Sequence, residues 1–355
     1  MTTLPSPQKL PIVLIGAGFW GASWAQLVID SPWTSLVGMV GRNSETLRAV
    51  ARDIGFPEDR TFSCLEDALA LGEARAALVV VPPEAHRSVT VEALEAGLHC
   101  LVEKPFAPSL ADARDIVALA EQRERLVMVG QNYRFRRGPA TVRRLLQQGA
   151  IGRVQSVHGR LSKRLRLDLE GWRSQMSEPI IVDQAVHHFD FIRSVFGIEP
   201  RQVRAHSFNP SWSWFDGNAC AAVEFRTDDC YISYFGSWVA QGNVDTTTSF
   251  EGSWELQGER GCITWEHNRI RLTPTDLGDL IFYPGGLERE GGVVEIPLQE
   301  LAVEERAGVL AEFAQSVSAG REPESSGRDN LRTLAMVFAA EAATGADGWV
   351  DIAQS

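Results

Sequence analysis

Lys104 stands in the tripeptide Glu103-Lys104-Pro105, directly after the apolar run Leu98–Val102. A lysine at the end of a buried strand can donate a proton or polarise a carbonyl oxygen, and burial and neighbouring charge set its acidity. Farther along, Asp183, His187, Asp190 and Ser194 recur at i, i+4, i+7 and i+11. On a regular α-helix this spacing places all four within about 60° of arc. Val182, Val186, Phe189, Ile192 and Phe196 occupy a separate apolar arc. Asp183, one turn before His187, can orient the imidazole and stabilise its charged form. A histidine held in this way suits general-base removal of a hydroxyl proton. His188 points elsewhere and reads as structural. Zinc also uses histidine and carboxylate ligands, but the stripe offers one histidine and no cysteine, so no metal is expected.

A third segment, Gly16-Ala17-Gly18-Phe19-Trp20-Gly21, fits G-x-G-x-x-G between the apolar run Pro11–Ile15 and a helical pattern at Trp20–Ile29. In that context the first glycine permits a tight turn, the second lets a pyrophosphate approach the backbone, and the third allows close helix–strand packing. The helix start then offers unpaired N–H groups to phosphate. The second strand of such a unit ordinarily ends in an acid for the ribose diol. Here the segment reads Val40-Gly41-Arg42-Asn43. A small residue followed by arginine leaves room for a 2′-phosphate and can pair with it, which favours NADP(H) over NAD(H).

These segments need elements to position them. Apolar runs near residues 11–15, 36–40, 77–81, 98–102 and 126–130 alternate with helical patterns, which implies a parallel sheet covered on both faces. Ser44 is expected to cap the helix that follows Arg42. After about residue 130 the chain turns to longer β-branched and aromatic strands, among them 154–161, 203–209, 219–226, 230–239, 246–256, 261–266 and 293–296, separated by turn residues. Helices are expected near 141–148, 183–196, 303–319 and 329–343. The expected architecture is α/β: residues 1–130 bind a dinucleotide, and residues 131–355 carry a large, mostly antiparallel open sheet.

The chain has 355 residues, 44% hydrophobic and 23% charged, which excludes disordered and coiled-coil classes. Its 34 basic and 46 acidic side chains leave a net charge of −12, a poor match for nucleic acid or anionic lipid. Cys64, Cys100, Cys220, Cys230 and Cys262 are odd in number and show no C-x-x-C spacing, as in a reduced chain. No apolar stretch is long enough to span a bilayer, and no secretory leader is expected. A cytoplasmic location follows as an expectation.

Taken together, these segments resemble the Gfo/Idh/MocA family of sugar and polyol oxidoreductases. The resemblance runs through Gly16–Gly21, Val81-Pro82-Pro83 with His86, Glu103-Lys104-Pro105 and Gly130-Gln131-Asn132-Tyr133-Arg134-Phe135. It continues in Trp172-Arg173, in Asp183-x-x-x-His187-x-x-Asp190 and in Gly320-Arg321-Glu322-Pro323. It implies a Rossmann domain followed by an α/β domain whose exposed sheet face forms a homodimer or homotetramer. It implies Lys104, Asp183 and His187 as the catalytic set, with Lys104 and His187 in proton transfer and Asp183 supporting His187. NADP or NAD would then be bound by Gly16, Gly18, Phe19, Trp20, Gly21, Gly41, Arg42, Val81, Pro82, His86, Glu103, Lys104, Trp172 and Arg173. A small sugar- or polyol-like substrate would meet Lys104, Trp172, Asp183 and His187. Lys163, beyond the first strand of the second domain, would reach a substrate hydroxyl or carboxylate. One departure stands out: many relatives carry Gly-Gly just before the aspartate, whereas this chain reads Ser177-Glu178-Pro179-Ile180-Ile181-Val182. Of Trp212, Trp214, Trp238, Trp254 and Trp265, most are expected in the sheet core or a subunit contact, and one at most to stack on substrate. Two rival functions share these features: a glycoside-cleaving enzyme that recycles its NAD, and a non-catalytic dinucleotide sensor.

Overall fold

The computed structural model describes residues 9–164, 176–241, 250–266, 268–274 and 293–354. The chain divides into two compact units, Met1–Phe135 with Val303–Leu334 and Arg136–Ala302 with Ala335–Ser355. The first unit therefore takes back a segment from near the end of the chain, where the sequence reading expected two contiguous blocks, 1–130 and 131–355.

The first unit is built on a sheet of β1 (Leu10–Ile15), β2 (Thr34–Val40), β3 (Thr61–Phe62), β4 (Ala76–Val79), β5 (His99–Val102) and β6 (Val127–Val129). The order is β3-β2-β1-β4-β5-β6, and every pairing is parallel. Parallel strands are buried on both faces, which is why β1 and β4 read as unbroken apolar runs; β4 is buried at every position. Helices α1 (Phe19–Asp30), α2 (Ser44–Asp53), α3 (Leu65–Leu69), α4 (His86–Glu95) and α5 (Leu110–Gln122) supply the crossovers. The cap of α2 is Asn43 rather than Ser44: its side chain accepts from the Thr46 N–H at 3.0 Å. An asparagine oxygen reaches that donor only from the residue preceding the first helical turn.

The returning segment has two tasks within this unit. Its helix, α8 (Glu305–Ala319), puts Val309, Leu310 and Phe313 into one core with Ile12, Leu14 and Trp24, all essentially inaccessible. Just past α8, Ser326 bridges to Met128, the Val129 N–H donates to the Ser325 carbonyl at 2.8 Å, and the Ser325 hydroxyl donates to the Val129 carbonyl at 2.7 Å. The otherwise open edge of β6 is thereby covered. Arg134, buried, donates to the Glu324 carbonyl at 2.7 Å and to Asp329 at 2.6 Å, which accounts for its place in the 130–135 motif.

In the second unit, strands β7 (Val154–Ser162), β8 (Gln202–Phe208), β9 (Cys220–Arg226), β10 (Tyr231–Ser237), β11 (Ser253–Gly258), β12 (Gly261–Glu266), β13 (Arg269–Pro274), β14 (Val294–Ile296) and β15 (Val350–Asp351) form one sheet among the described residues. Its order is β14-β13-β12-β11-β7-β10-β9-β8-β15. Only β7 and β10 pair in parallel; the remaining pairings are antiparallel. The alternation expected of such a sheet is clear on β10: Ile232 and Tyr234 are buried while Tyr231 and Phe235 are exposed. The covered face packs on α7 (Val186–Ser194), with Phe189 edge-on to Phe225 at 4.7 Å and to Tyr234 at 5.7 Å between ring centroids. Strands β13 and β15 were not foreseen, and the forecast strand at 246–256 lies partly outside the described residues.

Candidate active site

All parallel strands of the first unit end on one edge, where ligands of open α/β sheets bind. The loop after β1 is Gly16–Gly21. Gly16 adopts φ +107°, and a Cβ there would lie 2.3 Å from the Val80 carbonyl oxygen. A Cβ on Gly21 would lie 2.0 Å from the Gly16 carbonyl oxygen. Both glycines are therefore demanded by backbone contact alone. Gly18 differs: among the described residues nothing lies within 4 Å of its would-be Cβ, it precedes α1, and no side chain caps that helix. Uncapped N–H groups at a helix start can bind a phosphate. Phe19 and Trp20 flank it, 88% and 44% exposed, with rings stacked at 6.2 Å. Past β2, Gly41 is followed by exposed Arg42 at the start of α2.

His86 and Glu103, both expected at the cofactor, also make internal ties. His86 is buried, with Nδ1 2.8 Å from the Pro105 carbonyl and Nε2 2.9 Å from the Val81 carbonyl. It joins the loop after β4, with Val81 and Pro82, to the segment after β5. Burial lowers its pKa, opposed by the carbonyls it faces. Glu103 is also buried; one carboxylate oxygen accepts the Trp24 indole N–H at 2.7 Å and the other the Lys104 backbone N–H at 2.9 Å. Burial pushes its carboxyl above the usual range, and Lys104, the two N–H donors and Arg306 pull the other way. Lys104 itself is half-buried and precedes a cis peptide to Pro105. No spacing rule ties Trp24 or Arg306 to this segment, because they arrive from separate helices.

In the second unit the polar stripe departs from the expected regular helix. Ile180–Ala185 forms a π-type turn, and only Val186–Ser194 is α-helical. Asp183 lies in the wider turn, so the 60° arc reckoned at α-helical pitch in the sequence does not extend to it. His187, Asp190 and Ser194 keep α-helical spacing, and the Ser194 hydroxyl donates to Asp190 at 3.3 Å. The stripe faces no solvent: Asp183, His187 and Asp190 are all buried, and so is every residue of Val186–Arg193. Wide π turns within helices occur frequently at functional sites.

His188 sits in the core as expected. The Tyr234 hydroxyl lies 2.7 Å from its Nδ1 and the Phe250 carbonyl 2.8 Å from its Nε2. A neutral ring satisfies both, donating to the carbonyl and accepting from the phenol. Burial pulls its pKa down to about 4. Lys163, expected to reach a substrate group, is buried, with its ammonium 4.8 Å from the centre of the Phe250 ring. Trp238, Trp254 and Trp265 are buried in the unit's core, whereas Trp212 is 51% exposed. Trp172 and Arg173 lie outside the described residues. Among the described residues no group of three or more His, Cys, Asp or Glu is arranged to hold a metal, and no helix is long and apolar enough to cross a membrane.

Comparison with known proteins agrees with this architecture. Residues 10–131 match the model of the oxidoreductase family with an NAD-binding Rossmann fold, and residues 140–264 match that of the GFO/IDH/MocA C-terminal domain. The chain belongs to the Gfo/Idh/MocA oxidoreductase family. It is 28% identical over 342 residues to the 1,5-anhydro-D-fructose reductase of Ensifer adhaerens, covering 94% of this chain and 96% of that one. It is 26% identical over 347 residues to the D-apiose dehydrogenase of Paraburkholderia graminis, covering 95% and 88%. Its fold matches an oxidoreductase from Agrobacterium radiobacter, solved in complex with NAD+, L-tartaric acid and magnesium, at a TM-score of 0.83 and 22% identity over 97% of this chain and 99% of that one.

The neutral, buried His188 makes stability depend on pH. Below about pH 6.5 the unfolded chain takes up a proton that the folded one refuses until about pH 4, so stability falls with pH across that window. Between pH 7 and 4 the wild type should lose about 3 kcal/mol more unfolding free energy than His188→Gln, measured by urea denaturation at each pH. Equal losses in the two proteins would show that His188 does not carry this term.

Proposed function

We propose that this protein is a nicotinamide-dependent dehydrogenase or reductase that interconverts a hydroxyl and a carbonyl group on a sugar, polyol or related compound. The observation that carries the reading is the pairing, on one sheet edge, of an open, uncapped helix start at Gly18 with a half-buried lysine, Lys104, held at the end of β5. The residues fit a dinucleotide. Gly18, Phe19 and Trp20 would receive the pyrophosphate, Gly41 and Arg42 the adenosine ribose, and Val81, Pro82 and Lys104 would lie toward the nicotinamide. His86 and Glu103 shape that pocket from behind. When bound, the nicotinamide accepts or donates the hydride.

The chain's own residues handle the proton and the position of the substrate. In oxidation His187 removes the hydroxyl proton, and Asp183 steadies the charged imidazole. Lys104 donates a hydrogen bond to the substrate oxygen as negative charge builds there. In reduction the same groups act in reverse, with the proton returned to the alkoxide. Lys163 binds a second hydroxyl or a carboxylate of the substrate. Trp172 and Arg173 belong to the same proposed site by family resemblance. The named relatives act on sugar derivatives, which supports this substrate class. The changed segment 177–182 beside Asp183 is where the substrate range of this chain would diverge from theirs.

Arg42 supports a preference for NADP(H), since it follows a glycine at the position where an acid would select the free ribose diol. The exposed aromatic residues Phe208, Tyr231 and Phe235 on the outer sheet face support assembly into a homodimer or homotetramer.

Three measurements test these readings. In an absorbance assay across a panel of sugars, inositols and keto-sugars, Lys104→Ala should lose at least about a hundredfold in kcat while cofactor affinity holds, in line with loss of a proton-transfer group. Lys163→Met should chiefly raise the substrate KM; full activity in Lys104→Ala removes it from the catalytic set. The apparent KM for NADP should lie below that for NAD, and Arg42→Ala should erase the difference; a native preference for NAD refutes the assignment. Light scattering should give two or four times the chain mass, and Phe235→Glu should lower it.

A further inference from the structure

Arg306, on the first turn of α8, lies beside the phosphate turn of the same unit. Its guanidinium carbon sits 4.6 Å from the centre of the Trp20 ring and 5.3 Å from that of Trp24. Nη2 donates to the Ser23 hydroxyl at 2.8 Å, and Nη1 is buried with no hydrogen-bond partner among the described residues. Burial lowers its pKa, and Glu103 and Glu305 raise it. The guanidinium is therefore held inward against two indoles, one of which, Trp24, also donates to the buried Glu103 carboxylate, whose charge acts on Arg306. Glu103 in turn grips the Lys104 backbone N–H with one oxygen and the Trp24 indole with the other.

A buried carboxylate is costly unless opposite charge and hydrogen bonds compensate. Among the described residues, groups from several elements face Glu103. Lys104 follows on its own strand, Trp24 comes from α1 and Arg306 from α8. From the segment after β6, a Cβ on Gly130 would lie 3.7 Å from the Glu103 carboxyl carbon. Removing Arg306 leaves Lys104 as the sole cation among these groups. A protonated Glu103 keeps one strong acceptor where two N–H groups need one each. The Lys104 peptide would then lose its anchor.

We propose that Arg306 is a positioning residue for Lys104: it keeps Glu103 ionised, and ionised Glu103 fixes the backbone that carries the reactive lysine. The proposal rests on the reading of Lys104 as a proton-transfer residue. It adds a cation some two hundred residues away in sequence, on the returning segment, as a determinant of turnover.

The Trp24 indole N–H reports directly on its carboxylate acceptor. In protein labelled with 15N-tryptophan, the signal absent from Trp24→Phe is that of Trp24, and its shift is followed against pH. In Arg306→Met the midpoint of that titration should rise by about one unit, and kcat at neutral pH should fall about tenfold, with cofactor Kd within about twofold of native. Arg306→Lys, which restores charge, should bring back both. If Arg306→Met fails to fold, Arg306→Gln, which keeps a donor for Ser23, gives the same two readouts. An unchanged midpoint overturns the proposal. So does a shifted midpoint with native kcat in a protein whose Lys104→Ala variant is inactive. Full turnover in Lys104→Ala is a different failure: it overturns the catalytic reading of Lys104, while the midpoint still measures the Arg306–Glu103 coupling.

Discussion

Close backbone contact at the end of β1 is the constraint on which the first unit is built. Gly16 has no room for a side chain because the Val80 carbonyl occupies that space, and Gly21 has none because the Gly16 carbonyl does. These contacts press the turn against the residue just past β4 and the start of α1 against the turn. The first turn of that helix is then left open at Gly18, where a ligand phosphate can satisfy its N–H groups. The same helix brings Trp24 under the end of β5, so the turn and the lysine segment share one buried carboxylate. The glycine turn and the Lys104 segment are thus joined inside one unit.

The second unit solves a different problem, how to keep polar groups inside. Its central helix is buried on every side, yet carries His187, His188, Asp190 and, one turn earlier, Asp183. Each buried polar group needs a partner. His188 shows the solution most simply, with a phenol on one nitrogen and a carbonyl on the other. The π-type turn at Ile180–Ala185 re-aims the preceding residues at the point where this chain reads Glu178-Pro179-Ile180. Glu178 anchors that segment, accepting from Ser207 and from Asn218 at 2.8 Å each. The altered segment before Asp183 is therefore a structured replacement with its own hydrogen bonds.

Much of the parallel sheet was legible in the sequence because double-sided burial leaves unbroken apolar runs, and β1, β2, β4, β5 and β6 all lie where such runs predict. The phosphate turn was legible because steric need for glycine writes itself into residue type. Short β3 and β15 left no signal, since two residues cannot show a period. The helix at 183–196 was read at constant pitch, and the π turn shifted Asp183 because hydrogen-bond register is not encoded in apolar spacing. Motif position alone could not show that the polar atoms of His86 and Glu103 are also engaged by backbone carbonyls and by Trp24 and Lys104.

What the sequence alone determined were the local facts: glycines that a turn demands, apolar runs that strands demand, and the residue types able to move a proton. Those follow from backbone sterics and hydrophobic periodicity, which act over a few residues. Tertiary structure decided the rest. The return of Val303–Leu334 to the first unit, the burial of Lys163 and the meeting of Trp24, Glu103 and Arg306 depend on contacts between distant parts of the chain. Burial and charge pairing act through space, so the direction in which the Glu103 and His188 pKa values move follows only from the chain folded around them.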